Sequence, residues 1–313
     1  MRPAHFSFRR RAFTLIEMLV VIGTALVLLG LILPAIMQSR RSAQLMTCSV
    51  RLKQIGIAVA NFEAQEKRYP RAFCGNVERP EFGKKSYCFS PQAELLPYLD
   101  ALELAEKIDW ADVTTDSMGQ PPSPGTNTEA LASRIAAFLC PADPSKSTGT
   151  NYRFCRGVTL DSQSNRPGLF TGYSAHAPAS AHDGLAKTAM CSERTIGVAD
   201  SDSTAYLLEE SASFFPDCAT KGRSSPQDPY WGTTFLRGSP RMCIYLHLFP
   251  PNYTVRDCSI GTDMAITARS NHTGGVNLLF ADGHVEFISD AIDLRLWHAA
   301  ATRDGREVQA ATP

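Results

Sequence analysis

A long apolar run lies near the beginning of the chain. Residues 18–37 carry no charged side chain, and a helix of that length, rising about 1.5 Å per residue, covers about 30 Å, the hydrocarbon thickness of a bilayer. A secretory signal peptide has a shorter apolar region that ends in a small-x-small cleavage site, whereas Gln38, Arg40 and Arg41 follow this run. The pattern therefore predicts a retained transmembrane helix over residues 13–37.

The helical pattern continues beyond the apolar run. Apolar side chains recur at spacings of three and four residues and therefore share one helix face: Leu45, Cys48, Leu52, Ile55, Val59 and Phe62. The pattern predicts an amphipathic helix over 38–68 that ends at Tyr69-Pro70, because proline disfavours helix in the residue before it. We expect this face to pack on the protein's own sheet, since the alternative, a coiled-coil seam, needs a longer repeat.

The remainder of the chain, residues 69–313, alternates short patterned segments with loops rich in Pro, Gly and Ser. The patterns predict helices over 92–109 and 129–138, and strands over 196–198, 205–208 and 242–249. A third helix is predicted to begin at a cap formed by Ser289 or Asp290 and to run to about Ala300. The mixture indicates an α+β fold, in which the long N-terminal helix packs on a mainly antiparallel sheet.

The clearest hairpin pattern lies near the carboxyl end. Two β-prone apolar runs, 276–281 and 284–288, flank Asp282-Gly283. This dipeptide favours a two-residue type I′ turn, whose twist matches that of a hairpin. We therefore expect the globular region to close with a β-hairpin and the short helix after it.

Charge and cysteine content narrow the class of protein. The 313 residues carry 31 basic and 31 acidic side chains, so the charge balance gives no reason to expect a nucleic-acid partner. Nine cysteines without a C-x-x-C pair favour disulfides in an oxidising compartment over free thiols, and the odd number leaves at least one unpaired or bonded to another chain. Cys74 and Cys88 flank a short segment with turn-forming residues, and we expect a local disulfide between them.

The start of the apolar run resembles a known processing site. The stretch AFTLIE, Ala12 to Glu17, follows three arginines and is similar to the leader junction of type IV prepilins. The resemblance implies a pilin-like fold, a basic leader over residues 1–12 and cleavage by a prepilin peptidase between Ala12 and Phe13. It also implies methylation of the new terminus and pairing of Glu17 with the Phe13 amine of another subunit. Pro34 fits the family's pattern, whereas Ala12 stands where the family usually has glycine. Alternatively, Glu17 lies at the membrane interface, where its charge costs little.

Residues spread over most of the chain resemble a larger family. His272 is followed after nine residues by Asp282-Gly283, which is similar to the H-x9-DG signature of a bacterial family of prepilin-like proteins, domain of unknown function 1559. Further segments fit that family: Cys48 with residues 52–56, residues 95–99, Cys140-Pro141, residues 301–308 and, more loosely, residues 199–204. The family is also described as solute-binding-like.

The histidine and aspartate of this signature do not predict a shared metal site. An extended strand rises about 3.3 Å per residue, so His272 and Asp282 lie up to about 30 Å apart. Metal ligands, in contrast, lie within about 2.0–2.6 Å of one ion. We therefore expect Asp282 to be a turn residue and His272 to hydrogen-bond a neighbouring loop.

Other candidate ligands have a plainer structural interpretation. His176 and His182-Asp183 lie in a loop of small residues, where they can be solvated. Asp200 and Asp202 offer two carboxylates, whereas calcium needs about six to eight oxygens. Because the sequence also lacks hydrolase, phosphate-loop and dinucleotide motifs, we expect no catalytic residue, metal or cofactor, and no enzymatic activity.

Two functions fit these patterns. The first is a pilin-like or pseudopilin-like subunit, anchored by a single pass in the inner membrane with its globular region outside the cytoplasm. Its partners would be the prepilin peptidase and other pilin-like subunits of a surface filament or secretion system. The second is a membrane-tethered module whose loops bind a carbohydrate or another solute. The helix pattern favours the first.

The leader resemblance predicts that the mature chain begins at Phe13. Intact-mass measurement and terminal sequencing of the membrane-extracted protein check this, and we expect a methylated Phe13 amine. A retained Met1, or cleavage after residue 37, would contradict the prediction.

Overall fold

The computed structural model describes residues 14–72, 77–79, 84–86, 89–110, 127–158, 167–171, 175–197, 205–207, 227–228, 231–260 and 263–306. The chain divides into two compact units, Met1–Ala43 and Gln44–Pro313. Helix α1, Leu15–Glu66, begins in the first unit, where all its residues are exposed. It is long and apolar enough to cross a membrane, as a membrane anchor or a signal sequence would be.

The first turn of α1 is closed by a reciprocal pair of hydrogen bonds. The Glu17 carboxylate accepts from the Thr14 backbone N–H at 2.8 Å, and the Glu17 N–H donates to Thr14 Oγ1 at 3.3 Å. This is the S/T-x-x-E capping box, which satisfies two amides that the helix itself leaves without partners. The sequence interpretation of Glu17 did not include this local role.

In the second unit, the later part of α1 contributes one face to the hydrophobic core. The buried residues are Cys48, Leu52, Ile55, Gly56, Ala58, Val59 and Phe62, which confirms the predicted apolar face except at Leu45, which is half-buried. A Cβ atom on Gly56 would lie 3.0 Å from Leu279 Cδ1, so the helix packs closely against the sheet at this glycine. The helix ends at Glu66, and Lys67 has a positive φ of 59°.

The described strands form a mainly antiparallel arrangement. They are β1 Val77–Arg79, β2 Lys84–Ser86, β3 Tyr152–Cys155, β4 Ala189–Glu193, β5 Ala205–Leu207, β6 Gln227–Asp228, β7 Ile244–Tyr245, β8 Cys258–Ile260, β9 Asp263–Ala265, β10 Gly275–Phe280 and β11 Val285–Ser289. One sheet has the order β11-β10-β4-β3-β7, a second has the order β6-β5-β8-β9, and β1 pairs with β2. Two of the pairings between these strands, β3 with β7 and β5 with β8, are parallel. The α+β class is confirmed.

The other described α-helices are short: α2 Pro91–Glu94, α3 Leu102–Lys107, α4 Thr128–Ala132, α5 Pro240–Cys243 and α6 Leu294–Ala301. The predicted helices over 92–109 and 129–138 are therefore both interrupted. Asp100 has a positive φ of 55°, which a right-handed helix excludes. Ser133 is extended, and its hydroxyl donates to the Glu129 carbonyl at 2.8 Å, a bond that competes with helix continuation.

One predicted strand is absent from the described residues, and a second is much shorter than predicted. The described residues of 196–198 do not pair with another strand, because the Ile196 N–H donates to the Asp143 carboxylate at 3.0 Å. The strand in this part of the chain lies earlier, in β4. Over 242–249 the helical turn α5 leaves only the two residues of β7 in a strand. The strand over 205–208 is confirmed for its described residues by β5.

The predicted C-terminal hairpin is present as β10 and β11, but its turn differs. The Gly283 N–H donates to the Phe280 carbonyl at 3.0 Å, and the Phe280 N–H donates to the His284 carbonyl at 2.9 Å. These bonds enclose a three-residue loop, and Asp282 lacks the positive φ that a type I′ turn requires. Gly283 does have the predicted positive φ, at 92°. Every residue of β10 is buried, so both faces of this strand are covered.

The closing helix α6 begins later than predicted. Its N-cap is Asp293 rather than Ser289 or Asp290, because the Asp293 carboxylate accepts from a backbone N–H of the first turn at 2.8 Å. The helix buries Trp297, whose ring stacks on His247 with centroids 3.4 Å apart. This contact anchors α6 to the domain.

The hairpin loop predicts a contrast between two neighbouring substitutions. Gly283→Val should lower the free energy of unfolding of the full chain in detergent by about 1–3 kcal/mol, because a β-branched residue is strained at positive φ. Asp282→Asn should change it by less than about 0.5 kcal/mol, since asparagine retains the side-chain acceptor that turns use. Denaturant unfolding measures both, and equal losses would contradict this account of the loop.

Candidate functional site

Four side chains from distant parts of the sequence meet in the core of the second unit. They are Cys48 on α1, Cys140, Glu193 at the end of β4 and His272 in the loop before β10. All four are buried, and their sulfur, oxygen and nitrogen atoms lie within 4.8 Å of one another. We call these residues the Cys–His–Glu cluster.

Within the cluster, Cys48 and Cys140 form a disulfide with a Cα–Cα distance of 5.5 Å and a sequence separation of 92 residues. Two further bonds join the same segments: Gln44 Nε2 donates to the Pro141 carbonyl at 3.1 Å, and the Arg51 guanidinium donates to the Leu139 carbonyl. The disulfide therefore fastens α1 to the loop that follows residues 136–138.

The other cysteines have different states. Cys258 is also disulfide-bonded, whereas Cys155, Cys191 and Cys243 are free and buried. Burial raises the pKa of the Cys155 thiol to about 12, so this thiol is protonated and unreactive at neutral pH. The expected Cys74–Cys88 bridge lies outside the described residues.

Neighbouring strands fix the position of Glu193. Its carboxylate accepts from the Asn277 backbone N–H at 2.9 Å and from Asn277 Nδ2 at 3.0 Å. On the other side it lies opposite Tyr152 in the β3–β4 ladder. Burial, and then the charge of Glu193, raise the pKa of Tyr152. The sheet thus holds a buried carboxylate in a fixed orientation toward the disulfide.

His272 lies between the disulfide and this carboxylate. Its Nε2 atom is 3.4 Å from Cys140 Sγ and 3.4 Å from Glu193 Oε1. Its backbone N–H donates to Ser270 Oγ at 3.1 Å. Asp282 lies at the other end of β10, where it contacts His284 Nδ1 at 2.6 Å. His272 and Asp282 of the H-x9-DG signature therefore lie at opposite ends of β10 and make separate contacts, as the length of an extended strand predicts.

The remaining candidate ligands have separate partners. His176 Nε2 is 2.6 Å from Thr171 Oγ1, and burial, followed by the charge of Arg303, lowers the pKa of His176 to about 4. His182 contacts Asp304 at 3.4 Å. The Asp183 carboxylate accepts from backbone N–H groups of the last described residues.

Asp200 and Asp202 lie outside the described residues, as do Ala12 and Phe13. Within the described part of the chain, the Cys–His–Glu cluster is the one group of three or more potential metal ligands.

A second polar cluster is enclosed in the core. Asp257 accepts from Arg194 Nε and Nη2 at 3.0 and 2.8 Å, and Arg269 contacts its other oxygen at 3.5 Å. Arg153 is completely buried nearby, and burial, followed by the charge of Arg194, lowers the pKa of its guanidinium. Because these groups have almost no solvent exposure, the cluster offers no open surface for a solute.

Comparison with known protein families assigns the chain to one of them. A family profile described as protein of unknown function (DUF1559) matches residues 37–295, and the chain belongs to this family. A search of curated proteins gave no match, and a search of solved structures gave none either. The matched region contains the whole Cys–His–Glu cluster, and three of its members, Cys48, Cys140 and His272, belong to the segments that resemble the family.

Sequence reasoning missed two parts of the site. Glu193 belongs to no recognised motif, and only the pairing of β4 with β10 brings it near His272. The Cys48–Cys140 disulfide joins residues that the sequence separates widely. The sequence signal for the rest of the site was that Cys48, Cys140 and His272 each lie in a segment that resembles the family.

Loss of this disulfide should destabilise the domain. Replacing both Cys48 and Cys140 by alanine should lower the free energy of unfolding by about 3–5 kcal/mol, because the bond closes a long loop in the unfolded chain. Cys191→Ala is the matched control, since it removes a buried thiol without removing a cross-link. Denaturant unfolding of the full chain in detergent tests the difference, and equal losses in both variants would contradict it.

Proposed function

We propose that this protein is a pilin-like subunit, anchored in the inner membrane by the first part of α1 and assembled with other pilin-like subunits. The observation that carries the proposal is the contrast along this one helix. Its apolar residues before Gln38 are exposed, with Leu15 at 82% and Leu31 at 71%, whereas a face of its later part is buried in the domain. A helix that is apolar on all sides requires a nonaqueous environment.

The exposed apolar surface is large and contiguous. It comprises Leu15, Ile16, Met18, Leu19, Val20, Val21, Ile22, Leu26, Val27, Leu28, Leu29, Leu31, Ile32, Leu33, Ile36 and Met37. Each such side chain gains about 1.5–3 kcal/mol on leaving water. Lipid covers this surface in the membrane, and the corresponding helices of neighbouring subunits would cover it in an assembly.

Glu17 supports the proposed assembly contact. Both bonds that it accepts from Thr14 involve Oε2. The other carboxylate oxygen of Glu17, Oε1, makes no bond to a described residue, and the capping bonds to Thr14 fix its orientation. A protonated amine at Phe13 of a neighbouring subunit would pair with this carboxylate after prepilin peptidase cleavage. The proposed role is structural, without an enzymatic reaction.

Substitution of Glu17 separates capping from pairing. Glu17→Gln keeps a side chain that caps the helix but removes the charge. The variant should therefore insert into the membrane normally. Its incorporation into filaments should fall at least about tenfold, which corresponds to a loss of about 1.4 kcal/mol of assembly free energy. Glu17→Val removes both functions and should reduce incorporation at least as much. Quantitative immunoblotting of membranes and of isolated surface filaments or pseudopili measures the two steps.

Thr14→Ala is the matched control, because it removes the hydroxyl half of the capping box and leaves the charge of Glu17. It should enter filaments better than Glu17→Gln. If the wild-type chain is absent from the assemblies, or if Glu17→Gln enters them normally, the proposed pairing is wrong.

A further inference from the structure

We infer that the Cys–His–Glu cluster, when its disulfide is reduced, is a binding site for Zn²⁺ and that oxidation closes this site. The cluster offers two sulfurs, one imidazole nitrogen and one carboxylate oxygen. Cysteine sulfur, histidine nitrogen and glutamate oxygen are all zinc ligands, and a structural zinc site takes four ligands in tetrahedral geometry. The inference does not depend on the proposed role as a subunit.

The distances from His272 to two other members of the cluster are compatible with a shared metal ion. His272 Nε2 is 3.4 Å from both Cys140 Sγ and Glu193 Oε1. A strong N–H···O bond is shorter, at about 2.7–3.2 Å. Zinc bond lengths of about 2.0–2.3 Å place tetrahedral ligands roughly 3.3–3.8 Å apart. The histidine is therefore already at the separation that a shared ion requires.

Burial and outer contacts also match a metal site. The side chains of His272 and Glu193 are 5% and 2% exposed, and a buried carboxylate needs a compensating positive charge. Asn277 holds both oxygens of Glu193, and Asn151 Oδ1 accepts from the Cys140 N–H at 2.8 Å. Such outer contacts fix the orientation of ligands before the metal binds.

The disulfide and the metal exclude each other because they use the same sulfurs. A dithiol reductant breaks the Cys48–Cys140 bond, supplies two electrons and two protons, and itself becomes a disulfide. The two resulting thiols lose their protons to water when Zn²⁺ binds as thiolate ligands. In the reverse direction a disulfide oxidant takes two electrons from the thiolates, takes up two protons to become a dithiol, and the re-formed Cys48–Cys140 bond releases the ion. Either state links α1 to the Cys140 loop, and the metal would also join Glu193 of β4 and His272, so the domain has two alternative cross-links at one place.

Cobalt substitution tests the site in the full chain in detergent. The chain is reduced anaerobically, separated from the reductant and titrated with Co²⁺, whose absorption reports tetrahedral geometry and thiolate ligation, and then with Zn²⁺ in competition. We expect one tetrahedral Co²⁺ per reduced chain, displaced by Zn²⁺, and none at this site in the oxidised chain. His272→Ala and Glu193→Gln should each weaken binding by at least roughly tenfold.

Matched controls separate this site from the other thiols. His284→Ala and Glu286→Gln change exposed residues of the same types and should bind Co²⁺ like the wild type. Oxidised His272→Ala and Glu193→Gln should retain the Cys48–Cys140 bond by peptide mapping, which shows that the domain folds around it. The inference is overturned if the reduced wild type binds no tetrahedral Co²⁺. It is equally overturned if His272→Ala and Glu193→Gln bind with the affinity of the controls, or if a Cys48→Ser/Cys140→Ser variant still binds one ion.

Discussion

The packing of the later part of α1 into the core of the second unit, with Gly56 close to Leu279 of β10, is the contact on which the domain depends. Gly56 favours this close approach, because a Cβ atom there would lie 3.0 Å from Leu279 Cδ1, and the packing buries one face of the helix from Cys48 to Phe62. The disulfide reinforces the same contact by fastening α1 to the loop at Cys140. A single helix thus supplies both the membrane-length apolar segment and part of the domain core.

The Cys–His–Glu cluster lies at the opposite end of β10 from the contact between Gly56 and Leu279. Its members come from α1, the Cys140 loop, β4 and the loop before β10, and the disulfide joins the first two of these segments. This position explains why His272 of the H-x9-DG signature is buried beside a disulfide while Asp282 shapes the opposite end of the hairpin. The signature therefore marks both ends of the strand on which α1 packs, rather than one shared site.

The sequence predicted the features that depend on local pattern. The apolar face from Cys48 to Phe62 and the C-terminal hairpin follow directly from periodicity, and the positive φ of Gly283 follows from its place after Asp282. The failures have different causes: Ile196 bonds to a distant side chain instead of a strand, and Asp100 has a positive φ within a predicted helix. Glu193 could not be found, because only strand pairing brings it to His272.

The central claim is that the first part of α1 lies in the membrane and contacts the same segment of other pilin-like subunits. Site-specific photo-crosslinking tests it most directly, with a photoreactive residue in place of Leu26 in the apolar segment and, as control, in place of Glu103 on the domain surface. Leu26 should give membrane-associated adducts between subunits, and Glu103 should not give the same adducts. Adducts from Leu26 to lipid alone, or recovery of the full-length chain as a protein that needs no membrane extraction, would contradict the claim.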